Sequence, residues 1–151
     1  MNKEKIAFIP RQYLAVIAVL LAIMMSVLDG TIMNIALPTL AHDFDVTPST
    51  AIWIVNAYQL VITMTLLSFA SLGDIYGYRR IFLIGISIFV GASLACTLST
   101  SFWMLTAARV IQGFGAACVM SVNTALIRLI YPPQILGRGM GVNAMVVAVS
   151  A

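Results

Sequence analysis

Apolar residues run along this chain in long blocks, broken at a few places by charge, proline or glycine. From Tyr13 to Leu28 there are sixteen consecutive uncharged residues, and after Asp29 no charge recurs until Asp43. Runs of about 18 or more apolar residues have the length that crosses a bilayer as a helix. Four full spans follow from the pattern: about 12–37, 51–72, 81–98 and 102–127. Pro38 closes the first, Pro48 and Ser49 precede the second, and Tyr131 to Pro133 close the fourth. A fifth apolar run, 140–151, has twelve residues and reaches only about 18 Å against a core of about 30 Å. It reads as an incomplete span, and the chain end as a cut. Residues 1–11 read as the N-terminal segment before the first span, cytoplasmic by the charge count below, and the apolar run from Tyr13 as a retained first helix with no cleavage pattern.

Composition agrees with the blocks. The 151 residues are 62% hydrophobic and 9% charged, where a soluble domain carries about a quarter charged residues. The fold class expected is an all-α integral membrane bundle. A net charge of +3 could suggest nucleic acid, but the placement of the basic residues argues for membrane orientation. Lys3, Lys5 and Arg11 precede the first span, Arg79 and Arg80 lie between the second and third, and Arg128 and Arg138 between the fourth and fifth. The two opposite loops, 41–50 and 99–101, hold no lysine or arginine. The positive-inside rule then puts the N-terminus in the cytoplasm of a multi-pass protein of the plasma or inner membrane.

Two charges do not fit a plain lipid-facing helix. Asp29 lies about 12 Å below the outer end of the first span, and Arg109 about 10 Å below the outer end of the fourth. They are opposite charges at one depth. A lone charge in the bilayer costs at least about 2.5–3.5 kcal/mol, so such groups pair or face a wet cavity. Gln112 follows Arg109 by three positions, one helical turn. In the second span Asn56, Gln59 and Thr63 recur at i, i+3 and i+7, and with Asn34 they are candidates to line a polar cavity. A bundle with this interior suits a solute or ion path; the plainer reading is a static salt bridge and interhelical hydrogen bonds. Gly113 and Gly115 offer small surfaces for close helix packing. Cys96 and Cys118 sit in apolar runs and read as packing residues, as do the methionines; Met24, Met25, Met33 and Met120 could alternatively form a flexible lining. The single histidine, His42, is in a polar loop, and no nucleophile–histidine or metal-ligating constellation lies in the spans, so no enzyme and no metal site is expected.

Three stretches resemble those of a known family. The stretch from Leu28 to Pro38, LDGTIMNIALP, is similar to the first-helix signature of the fourteen-span drug:proton antiporters of the major facilitator superfamily. The stretch from Arg109 to Ala117, RVIQGFGAA, resembles the fourth-helix motif of proton-coupled members, and that from Ala70 to Arg80, ASLGDIYGYRR, the loop signature between the second and third spans. The resemblance implies the N-terminal part of a major facilitator bundle acting as a multidrug or organic-compound exporter, tied to antibiotic resistance. Asp29, Arg109 and Gln112 would serve proton coupling and substrate; Asp74, Gly77, Arg79 and Arg80 would form the cytoplasmic gate. The implied partners are a lipophilic or cationic organic compound, protons and the lipid bilayer. No cofactor is implied beyond the proton gradient, and further C-terminal spans would be required for transport. Three departures stand out: Ala70 where the motif opens with glycine, and Ile75 and Tyr78 where it has basic residues. The alternatives are a metabolite or sugar facilitator of the same superfamily, a small four-helix exporter working as a homodimer, and a non-transporting truncation product.

Overall fold

The computed structural model describes residues 4–130 and 136–150, with side chains from 16 to 129 and for part of the last helix. Lys3, Tyr131 to Pro133 and Ala151 lie outside the described residues, as do the side chains of Lys5, Arg11 and Arg138. Five helices follow one another: α1 Glu4–Asp43, α2 Pro48–Tyr76, α3 Tyr78–Thr97, α4 Phe102–Ile130 and α5 Leu136–Ser150. Four of them are long and apolar enough to cross a membrane.

Most helices outrun the spans read from hydropathy, because helix and hydrocarbon end in different places. α1 passes through Pro38 and stops five residues later, at Asp43. An interior proline removes one backbone hydrogen bond. Packing of the following turn offsets that loss: Ala41 is buried, and Leu40 and Phe44 pack on the cluster of Ile54, Phe102 and Leu105. At the start of α2 the capping residue is Thr47, not Ser49. The Thr47 hydroxyl accepts from the Thr50 backbone N–H at 3.3 Å, and Pro48 takes the first turn, where no N–H is needed. Ser101 caps α4 in the same way, its Oγ accepting from Met104 N at 3.3 Å. Between α2 and α3 the chain turns on one residue. Gly77 has φ +93°, a backbone region that side chains rarely enter.

α4 is the central helix, in contact with all four others, and its largest interfaces are with α3 and α2. Small residues set those interfaces. A Cβ on Gly115 would lie 2.6 Å from the Phe89 backbone nitrogen and 2.8 Å from Gly85 O; one on Gly85 would lie 2.6 Å from Cys118 Cβ. On the α2 side, a Cβ on Gly113 would lie 3.0 Å from Tyr58 O. Gly113 and Gly115 thus mark two contacts, one to each neighbour, and Gly85 is the α3 partner. Ala116 and Ala117 are wholly buried beside Tyr58, Ile62 and Phe89. α5 joins the bundle through an amide pair, Asn123 Nδ2 donating to Asn143 Oδ1 at 3.1 Å. Leu67, Met64 and Trp103 are among the many large apolar side chains left on the outside, a surface that suits lipid or further helices.

Candidate functional site

Asp29, Arg109 and Gln112 meet in the middle of the bundle. Arg109 NH1 donates to Asp29 Oδ2 at 2.5 Å and to Gln112 Oε1 at 2.8 Å, and Gln112 Nε2 donates to Asp29 Oδ1 at 2.9 Å. Both carboxylate oxygens are therefore engaged, one by a cation and one by an amide. Arg109 is fully buried and Gln112 nearly so, while the Asp29 side chain keeps 21% exposure. The shape follows from the helices. Arg109 and Gln112 are one turn apart on α4, and the antiparallel α1 brings Asp29 alongside both. Burial of two charges requires such multiple hydrogen bonding, because desolvation would otherwise exceed the attraction.

Two further residues, which reading the sequence did not single out for this role, complete the assembly. The Arg109 guanidinium carbon lies 4.2 Å from the centroid of the Tyr58 ring, within cation–π range. Tyr58 belongs to the buried stripe of α2, with Ala51, Ile54 and Ile62. That stripe at i, i+3, i+7 and i+11 was the available signal, since a buried arginine needs more than one partner. Cys96 of α3 donates its thiol to Gln112 Oε1 at 3.5 Å. The packing role expected for the cysteines describes Cys118, which is buried in the α3–α4 core, while Cys96 touches the polar network.

The candidate cavity residues divide. Asn34 and Gln59 share the wall of a cleft of about 220 Å³ with Ser26, Thr31, Tyr58 and Met120. Asn56 and Thr63 are exposed and not among its walls; the Thr63 hydroxyl donates to Gln59 O of its own helix at 2.8 Å. Asn56 and Thr63 of the polar stripe thus face out of this bundle, and Gln59 alone of the three borders the cleft, about one residue's rotation from the buried stripe. Asp29 does not line that cleft either. Its exposed flank opens into a larger apolar groove of about 470 Å³, bordered by Met24, Met25, Leu28, Phe89 and Ser93.

At the other end of α2, Asp74 accepts a hydrogen bond from the Tyr78 hydroxyl at 2.5 Å, spanning the break at Gly77. The two line a polar cleft of about 380 Å³ with Ser121, Thr124 and Arg128 of α4. Arg79 and Arg80 are exposed. Tyr78, standing where the resembling motif carries a basic residue, supplies a neutral partner for Asp74.

Known proteins show the same sequence pattern. The chain is 58% identical over 143 residues to the uncharacterised transporter YebQ of Escherichia coli (strain K12), covering 95% of this chain and 31% of that protein. It is 34% identical to the riboflavin transporter RibZ of Clostridioides difficile (strain 630), over 92% of this chain and 30% of the relative. Identity to the drug efflux pump JefA of Mycobacterium tuberculosis (strain ATCC 25618 / H37Rv) is 41%, over 85% of this chain and 26% of the relative. The chain therefore spans less than a third of the length of these curated relatives. Residues 19–151 match the family profile of the Major Facilitator Superfamily. A multi-pass helical bundle with an acid–base pair buried between its first and fourth helices, matched to that profile over most of its length, belongs to the Major Facilitator Superfamily.

Proposed function

We propose that this chain is part of a proton-coupled exporter of small organic compounds. The observation that carries the reading is the Asp29–Arg109–Gln112 network. A carboxylate that keeps one exposed flank, yet is held by a fully buried arginine, can exchange a proton and change its pairing as it does so. Proton uptake from outside would neutralise Asp29 and remove its charge–charge attraction to Arg109, while the Arg109–Gln112 bond persists. A lipophilic or cationic substrate would compete with that proton, lodged in the apolar, methionine-rich groove beside Asp29. The proton gradient would be the energy source, with no cofactor. Transport would need two bundles moving about a site near the midplane, with Asp74, Gly77, Arg79 and Arg80 at the cytoplasmic gate. The drug efflux pump among its relatives supports this reading.

Export of a fluorescent cation from everted vesicles tests it. Asp29→Asn should abolish export driven by a pH gradient while leaving the protein in the membrane. Unchanged gradient-driven export would sink the proposal. A second reading, a carrier for a metabolite, is favoured by one observation: the relative named a riboflavin transporter aligns with 92% of this chain. Uptake of a neutral solute that persists after the proton gradient is collapsed would select it.

A further inference from the structure

Arg109 is satisfied on one edge only. NH1 carries both of its hydrogen bonds, while Nε and NH2 are buried without a hydrogen-bond partner among the described residues. The Tyr58 hydroxyl is buried and unpartnered as well. What covers the guanidinium instead is the face of the Tyr58 ring. That contact shares one property with the Gln112 bond and not with the ion pair: it does not depend on the charge of Asp29. When the carboxylate is neutral the charge–charge attraction is gone, and among the described residues the ring quadrupole and Gln112 Oε1 are the contacts of Arg109 that keep their full strength.

We propose that Tyr58 is a positioning residue whose ring keeps the Arg109 guanidinium in place during the interval in which Asp29 carries a proton. The inference rests on the reading that Asp29 is the group that exchanges the proton. The charged and titratable groups around Asp29 are Arg109 on α4, Tyr58 on α2 and Cys96 on α3; α1 has no other charged side chain from Val16 to Ala41. Tyr58 is itself clamped. Its backbone carbonyl abuts Gly113, its side chain is buried against Ala116 and Ala117, and it forms part of the wall of the cleft that holds Asn34 and Gln59. A rigid ring therefore separates that cleft from the buried arginine. Protonation of Asp29 would then release the carboxylate without releasing Arg109, and the same geometry would stand ready when the proton leaves.

Cys96 provides a readout that needs no transport. Its thiol contacts Gln112, so displacement of Arg109 and Gln112 should expose it to alkylation. The experiment measures the rate at which N-ethylmaleimide modifies the Cys96 peptide, read by mass, in membranes carrying the protein as its gene encodes it. Asp29→Asn mimics the protonated state. In that background Tyr58→Leu should raise the alkylation rate about 30-fold, the weight of a desolvated cation–π contact of about 2 kcal/mol. With Asp29 present the same change should raise it less than about fivefold, because the carboxylate still holds the arginine. Tyr58→Phe, which keeps the ring and loses the hydroxyl, should match the wild type in both backgrounds. Tyr58→Met, an apolar filler that folds where leucine leaves a void, should follow Tyr58→Leu. Equal effects of Tyr58→Leu in the two backgrounds would overturn the proposal, and so would Tyr58→Phe behaving like leucine or Tyr58→Met behaving like phenylalanine. Failure of the export test above would leave these ratios as they are, so the two readings fail separately.

Discussion

Gly115→Ala adds one methyl group at the tightest point of the bundle. The new Cβ would sit 2.6 Å from the Phe89 nitrogen, 2.8 Å from Gly85 O and 2.9 Å from the Phe89 Cα. All three are backbone atoms of α3, so no side chain can swing aside. The helices must part by most of an ångström before those contacts reach ordinary van der Waals distance. Overpacking of this kind costs about 1–3 kcal/mol, a factor of about 5–150 in the folding equilibrium. The same shift would stretch the Cys96–Gln112 contact, which is already 3.5 Å long, and so loosen the site from the α3 side. The control is Gly91→Ala on the partner helix α3, where an added Cβ meets nothing within 4 Å. Alanine there should be neutral or stabilising by up to about 1 kcal/mol, through helix propensity. Both variants would be compared by thermal unfolding in detergent alongside the wild type. If Gly115→Ala unfolds at the same temperature as Gly91→Ala, the close backbone approach of α3 and α4 is wrong.

Gly77→Ala isolates a different cost. No atom lies within 4 Å of the added Cβ, but φ of +93° remains strained for alanine, so a loss of about 1–3 kcal/mol in the same unfolding assay is expected from the backbone alone. An unchanged melting temperature would show that the α2–α3 turn relaxes to another conformation. Orientation can be checked with a membrane-impermeant maleimide on intact cells. Thr100→Cys in the α3–α4 loop should label from outside, and Tyr76→Cys beside the arginine pair only after the cells are opened; the reverse pattern would refute the cytoplasmic placement of Arg79 and Arg80.

Much of the site could be read along the helix axis. Hydropathy marks where a segment crosses, and a rise of about 1.5 Å per residue then sets the depth of every side chain. That is why Asp29 and Arg109 could be placed at one level before any tertiary contact was known, and the ion pair between them lies at that level. Gln112 followed by helical spacing, and Gly113 and Gly115 by size. Rotation about the axis was less legible. Asn56, Gln59 and Thr63 do form one stripe, but α2 turns the adjacent stripe of Ile54, Tyr58 and Ile62 toward α4. Hydrophobic contrast is weak when both lipid and core are apolar, so it does not choose between them.

The sequence by itself determined the class of the protein, four segments long and apolar enough to cross a membrane, and the matching level of Asp29 and Arg109 along their helices, because each of these depends on segment composition and on a fixed rise. Tertiary structure alone decided which faces meet. Gly85, Gly113 and Gly115 let α4 approach α3 and α2 until backbones touch, and that approach is what lays the Tyr58 ring on Arg109 and the Cys96 thiol on Gln112. Contacts of this kind depend on where steric bulk is missing on two helices at once, a relation no single segment contains.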